Sequence, residues 1–443
     1  FRPPGRSLAR QAEPASAGPV DHRKRLSPMV TLTPARRWCA LLSLALGGFA
    51  IGATEFVAMG LLPNIAADLL PDLYAESSTQ GIARAGWMIS AYALGVVVGA
   101  PLFAVIAIRY SRTRLLLALL AVFIVGTVAS AVLPSFGLVV LARFAAALPH
   151  GAYFGTASLV AASIMGPGSQ GKGIAIVLSG LTVSNVIGVP AITWLGQQYG
   201  WRVAYLSVAG IFVLTLVAVL LAVPHQKAEP GASARSELRI FRIPQAWLMM
   251  AAAAIGFGGF FAVYSYIAEV VTHVTRQSAG FVPWVLAAIG IGMTVGNLLG
   301  GWAADRNLRL TLLAGTPVLI ASLVAVALFS RTPAGLLLSA FAVGAANALV
   351  IPSLQTRLIR ISGDAQLIAA ALNHSAFNVG NSLGAILGGA AIAAGLGYLA
   401  PTLVGVGLTV LGYILLIVSL RLDRRRPRVG VEAVEPERVP VHS

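Results

Sequence analysis

The chain has 443 residues, of which 57% are apolar and only 10% charged. Soluble domains carry roughly 45–50% apolar and about 25% charged residues, so this composition excludes an ordinary soluble protein and indicates a polytopic membrane chain. The net charge of +16 is no sign of nucleic-acid binding, because the basic residues sit at the chain ends and in short gaps between apolar runs, as cytoplasmic loops do.

In chain order, residues 1–36 come first, rich in Arg, Pro and Ala, with no apolar core and no signal-peptide cleavage pattern. They are expected to form a disordered cytoplasmic extension, with Met29 as an alternative start. Twelve apolar spans follow, at about 38–62, 84–107, 115–133, 137–163, 172–194, 203–223, 245–268, 280–303, 310–330, 334–356, 367–393 and 398–420. Spans 1–6 make an N-terminal bundle (37–223) and spans 7–12 a C-terminal one (245–420). A charged cytoplasmic linker (224–244) joins them, and a basic tail (421–443) closes the chain. The expected fold is all-α. Cys39 is the sole cysteine, so no intrachain disulfide can form.

The charges imply an orientation. Arg36, Arg37, Arg109, Arg112, Arg114, Lys172, Arg306, Arg309, Arg357, Arg360 and the tail fall on one side, and only Arg84, Arg202, Arg276 and Arg331 on the other. Twelve crossings with both ends in the cytoplasm satisfy the positive-inside rule.

The halves also repeat. Gly95, Gly99, Arg109 and Arg112 recur 197 residues later as Gly292, Gly296, Arg306 and Arg309, and Asn185-x-x-Gly188 recurs as Asn381-x-x-Gly384. Internal repeats of this kind mark transporters whose substrate site lies near mid-membrane between the two halves.

Several segments carry chemistry. Glu55 sits inside the first span, in Thr54-Glu55-Phe56. A carboxylate at that depth costs several kcal/mol by common estimates, so it is a functional candidate by default, able to hold or release a proton. Its bland reading is a structural hydrogen bond to a neighbouring helix. Arg143 and His150 in span 4 are two helical turns apart and share a face. Arg143 stays charged at any relevant pH, and His150 is the kind of side chain that exchanges protons near neutrality. Phe257, Phe261 and Tyr264 recur at helical spacing in span 7, where they line a pocket or face lipid. His374, Asn378 and Asn381 share a face of span 11 that would be costly against lipid. Together with Tyr92 and Asn185 these residues are the candidate substrate cavity. Symmetry suggests that Asn185 and Asn381 pair across the pseudo-twofold axis. Gly180, Gly188 and Pro190 weaken the helix ladder of span 5 and permit bending and close packing.

With these residues in view, the chain resembles the major facilitator superfamily. The resemblance covers about 38–420 and rests on Gly301-Trp302-Ala303-Ala304-Asp305-Arg306-Asn307-Leu308-Arg309, on Arg143 to Gly151, and on the Gly180–Pro190 segment, which is similar to the antiporter motif. Thr54-Glu55-Phe56, Tyr92 to Pro101 and Pro149-His150-Gly151-Ala152 look closest to the arabinose-efflux-permease-like branch of the drug:proton antiporters. The resemblance implies a conformational gate at Asp305, Arg306 and Arg309 that stabilises an outward-facing state, with Arg109 and Arg112 as first-half counterparts. There the family's acid is replaced by Ile108 and its glycine by Ser111.

The expectation is a proton-coupled exporter of drugs, sugars or related metabolites, working by alternating access in the inner or plasma membrane as a monomer. Glu55, Arg143 and His150 would handle the proton. The alternatives are a proton-coupled uptake permease and, in another class, a non-transporting sensor. There is no phosphate-binding loop, no metal-ligand spacing and no nucleophile elbow. No enzymatic activity is therefore expected, and no cofactor beyond the proton gradient. The partners are a small-molecule substrate, protons and the bilayer, with no nucleic acid.

Overall fold

The computed structural model describes residues 32–107, 110–166, 169–226, 238–362 and 366–424. Arg109, residues 1–31, most of the linker and 425–443 lie outside the described residues. Among the described residues, eleven helices are long and apolar enough to cross a membrane. One of them, Val282–Phe329, holds two crossings: Asn307 leaves the helical region there (φ −155°, ψ 84°), and its Oδ1 accepts the Leu310 N–H at 3.0 Å. A side-chain oxygen that accepts an N–H three residues on is the N-cap device, so Asn307 starts span 9. The twelve crossings are thereby complete.

Span 1 is a single helix, Pro34–Leu69, opened by the Thr33 side chain, which accepts the Arg36 N–H, and by Pro34 in its first turn. It is buried on nearly every side, so it runs through the middle of the molecule rather than along the lipid. Two short helices, Pro71–Glu76 and Ser78–Ala85, lead into span 2, Trp87–Ala107. Span 3 is Arg112–Val132. Span 4 is broken at Leu148-Pro149 into Phe136–Ala147 and His150–Met165, since proline cannot donate its N–H and clashes with the preceding turn. Span 5 runs Gln170–Val183, a π-helical turn Ser184–Gly188, then Val189–Tyr199. Pro190 has no N–H to return to the preceding turn, and the wider π turn accommodates that loss. Span 6 is Trp201–Ala222, span 7 Pro244–Ser265, span 10 Pro333–Ser362, span 11 Gln366–Ala393 and span 12 Ala400–Arg424.

The sequence repeat corresponds to a packing repeat. A methyl group on Gly95 would overlap the carbonyl oxygen of Phe144, and one on Gly99 that of Leu148, so spans 2 and 4 touch backbone to backbone. Gly292 and Gly296 stand in the same relation to Phe341 and Ala345, which join span 8 to span 10. Membrane helices associate through such close approach of small residues, because lipid offers little hydrophobic drive between them. Lipid-facing positions are apolar and exposed, as in Leu94, Val98 and Leu102, one turn apart on span 2.

The two bundles meet along two seams, span 2 with span 11 and span 5 with span 8. Ser90 Oγ reaches the Ser382 carbonyl at 3.5 Å on the first seam, and Gly290 abuts the Asn185 carbonyl on the second. We call the face that carries Arg36, Arg112, Arg306 and Arg360 the basic face and its opposite the far face. Toward the far face the halves close. Gln197 Nε2 donates to the Ala279 carbonyl at 3.0 Å, and the Tyr266 ring end fills the space between Gly86 of one half and Gly389 of the other. The Ser90–Ser382 and Gln197–Ala279 hydrogen bonds lie from the middle of the seam to this face.

Candidate functional site at the centre of the seam

Glu55 is buried well inside span 1, with 5% of its surface exposed. Its Oε2 lies 3.9 Å from His150 Nδ1, and no hydrogen bond reaches the carboxylate among the described residues. His150 starts the second segment of span 4, directly after the Pro149 break, and its Nδ1 is also 3.3 Å from the Tyr92 hydroxyl of span 2. Acid, imidazole and phenol therefore converge on one ring nitrogen. Which partner holds the proton depends on the tautomer.

Arg143, on the other segment of span 4, is wholly buried. Its Nη1 donates to Thr54 Oγ1 at 3.0 Å, next to Glu55 in sequence. Its guanidinium lies 4.3 Å from the Tyr92 ring centre and 5.2 Å from that of Tyr205. Cation–π contacts of this kind hold a desolvated cation at roughly 2 kcal/mol each. Nε and Nη2 have no hydrogen-bond partner among the described residues. Because Tyr92 touches both His150 and Arg143, span 2 ties together the two parts of the broken span 4.

The site continues across the seam. His150 packs on Phe154 (5.4 Å between ring centres), and Phe154 stacks on His374 of the other half (6.3 Å, 3°). On span 7, Phe261 and Tyr264 lie against Phe56 at 6.5 and 5.6 Å, and Phe257 stacks on Phe377 at 4.2 Å. All three span 7 aromatics are buried. Asn378 donates to the His374 carbonyl at 3.1 Å; among the described residues its Oδ1 and both amide atoms of the buried Asn381 have no partner. Asn185 sits in the π turn of span 5 with Oδ1 unpartnered. The expected Asn185–Asn381 pair is therefore absent. The repeat relates the span 5/span 8 seam to the span 11/span 2 seam, so each asparagine lies on its own seam rather than facing its counterpart. A cavity of about 20 Å³, lined by Gly256, Phe257, Thr316, Thr409 and Gly412, lies inside the C-terminal bundle, apart from Glu55. It has room for about one water.

The other singled-out residues are placed as follows. Methyl groups on Gly180 and Gly188 would collide with the Ala45 carbonyl and the Phe49 ring, so both glycines seat span 5 on span 1. Asp305 is exposed and makes no ion pair among the described residues. The Arg306 guanidinium lies 3.6 Å from the Trp302 ring centre, and Arg309 is half-buried. Arg112 opens span 3 at the basic face. Arg109 lies outside the described residues.

Two far-face groups escaped the sequence reading. Asp68 pairs with Arg202 at 3.0 Å and accepts the Trp201 indole N–H at 3.0 Å, while Arg202 Nη1 also donates to the Ala131 and Leu133 carbonyls. Glu269 follows span 7 and is fully buried, with Oε2 at 3.0 Å from His273 Nδ1. The available signal for the latter was the i, i+4 spacing of an acid and a histidine at the end of an apolar run.

Twelve helices in two repeated bundles, with a carboxylate buried where they meet, define a multi-pass membrane transporter. Comparison with known proteins gives the family. Residues 44–293 and 267–443 match the family described as Major Facilitator Superfamily, and the chain belongs to it. It is 38% identical to the inner membrane transport protein YdhP of Escherichia coli K12, over 86% of this chain and 96% of that protein. It is 33% identical to the putative transporter AraJ of the same organism (81% and 89% covered), and 31% identical to a chloramphenicol resistance protein of Streptomyces lividans (81% and 90%). Among solved structures, a D-xylose–proton symporter superposes with a TM-score of 0.66 over 85% of this chain and 97% of that one, at 16% identity. That likeness concerns the fold. Two of these relatives are named as transport proteins, one of them putatively, and no enzyme family is among these matches.

Proposed function

We propose that the protein is a proton-coupled exporter of small molecules that works by alternating access, with Glu55 as the proton-carrying acid. The observation that carries this reading is the placement of Glu55. It lies buried beside the seam, 3.9 Å from His150 and within one residue of the Thr54 that Arg143 holds. The carboxylate has no hydrogen bond there among the described residues, so its protonation responds to whatever hydrates or fills the space around it. Rocking of the halves would change that hydration. Tyr92 and His150 give the proton a path, and Arg143 supplies a fixed positive charge beside it.

The direction of transport is supported by the resemblance to the antiporter motif and by the relative named for chloramphenicol resistance. The basic face is assigned to the cytoplasm by its arginines, and the protein is assigned to the inner or plasma membrane. With the far face closed, the conformation described is then shut toward the outside. Asp305, Arg306 and Arg309 would pair across the basic face in the opposite conformation. Phe257, Phe261, Tyr264, His374, Asn378 and Asn381 would contact substrate in the open cavity. The test is export by everted vesicles under an imposed pH gradient, with and without an uncoupler. Wild type should export and lose export on uncoupling, whereas import driven by the same gradient would reverse the assignment.

A further inference from the structure

Span 7 ends in a second buried acid. After Ser265 the helix breaks at Tyr266, re-forms over Ile267–Glu269 and widens into a π turn, Val270–Val274. This places Glu269 inward and leaves His273, one turn on, at the surface with 47% of its side chain exposed. Glu269 is fully buried. Its charged contact among the described residues is His273, Nδ1 to Oε2 at 3.0 Å. The same Nδ1 is 2.9 Å from Thr272 Oγ1, which itself bonds the Ala268 carbonyl.

The lid over this pair comes from both halves. The Ile267–Glu269 turn packs against span 1 of the N-terminal half. Tyr398, from the turn before span 12, stacks on the His273 ring at 4.2 Å and hydrogen-bonds to Ser78 of the N-terminal half. The other titratable groups that feel Glu269 are Tyr74 of the N-terminal half and Tyr266, whose ring end fills the space between Gly86 and Gly389. Tyrosines stay neutral at ordinary pH. The charge state of the cluster is therefore decided by Glu269 and His273.

We propose that Glu269 and His273 form a second proton-binding site, at the far face and separate from Glu55, whose occupancy favours closure of that face. When the face is closed, span 1 keeps water from Glu269, and a buried carboxylate without a counter-charge is costly. The proton on His273 supplies the counter-charge. When the face opens, water reaches Glu269 and the need for that proton falls. Closure thus takes up a proton, and acid on the far side favours the closed state. In support, hydrogen bonding to Glu269 and the charge of that group raise His273 above its ordinary value, against the opposing effect of partial burial.

The test is a distance measurement on the whole protein in lipid nanodiscs. Cys39→Ser removes the sole cysteine. Gln80→Cys and Leu396→Cys, exposed positions on the two halves near the far face, then carry spin labels. Pulsed electron resonance from pH 5.5 to 8.5 should show the short, closed distance at acid pH. The closed-to-open ratio should fall as pH rises, the sign that linkage requires when closure favours the protonated imidazole. His273→Gln should flatten the profile. Glu269→Gln should flatten it with the closed form favoured throughout. The profile should survive Glu55→Gln, which separates this site from the coupling acid. A pH-independent ratio in the wild type, or a profile unchanged in His273→Gln, would overturn the proposal. His273 is half-exposed, so that variant remains informative if Glu269→Gln does not fold.

Discussion

Replacing Gly99 by Ala places a methyl group against the Leu148 carbonyl, at the contact that joins span 2 to span 4. Favourable carbon contacts lie near 3.5 Å, so the two helices must part by roughly 1.5 Å or span 2 must bend. A backbone carbonyl inside a helix cannot rotate away. Overpacking of this kind costs about 1–3 kcal/mol. Gly296→Ala makes the equivalent clash with Ala345 in the second half and should cost a similar amount. Gly301→Ala, five residues further along span 8, meets nothing within 4 Å and serves as the control. It should be neutral or stabilising by up to about 1 kcal/mol through helix propensity. The functional consequences should differ between the first two variants. Span 2 carries Tyr92, which touches both His150 and Arg143, so Gly99→Ala also separates the members of the central cluster. Thermal unfolding of purified protein in detergent, followed by export per folded molecule, measures both effects. Gly99→Ala and Gly296→Ala should unfold several degrees below Gly301→Ala, and export per folded molecule should fall most in Gly99→Ala. The reasoning is refuted if all three alanine variants unfold together.

Three further outcomes follow from the geometry. Asn307→Ala removes the cap that starts span 9 and should cost about 1 kcal/mol in thermal unfolding, with Asn307→Asp largely preserving stability. Asp305→Asn should leave stability within about 0.5 kcal/mol, because the side chain is exposed and unpaired in this conformation; under the gate reading it should slow transport, and unchanged export rates would remove the gate. His273 is raised by its hydrogen bond to Glu269, so its contribution to stability is fully present below its ordinary value of about 6.5 and is lost as pH rises through the raised one. Wild type should accordingly lose thermal stability over that window relative to His273→Gln, and parallel pH profiles for the two proteins would contradict this.

Much of the architecture was legible because membrane physics acts on composition directly. Apolar runs had to be helices, arginines had to gather on one face, and Gly95, Gly99, Gly292 and Gly296 marked the repeat of the two halves. Glu55 was visible because a carboxylate is conspicuous among apolar neighbours. Glu269 was not, since an acid at the end of a span looks like a boundary charge, and only the tertiary contact with span 1 buries it. The Asn185–Asn381 pairing failed for a related reason: a repeat shows that two residues are equivalent, not that they face each other. The contact between Arg143 and Thr54 depends on how span 4 leans on span 1, which helical spacing along either span does not specify. The joining of spans 8 and 9 into one bent helix depended on a single residue, Asn307, whose side chain caps one helix while its backbone leaves the other.

The central claim is that Glu55 carries the proton that drives export. Glu55→Gln keeps the size and polarity of the side chain and removes its titration. The direct measurement is proton movement against substrate movement in proteoliposomes, using a pH-sensitive dye and chloramphenicol as the probe compound. Wild type should release lumenal protons as substrate moves the other way. Glu55→Gln should retain substrate exchange at equal pH and lose both the proton flux and the response to an imposed gradient. A variant that still couples protons to substrate at the wild-type ratio would contradict the account.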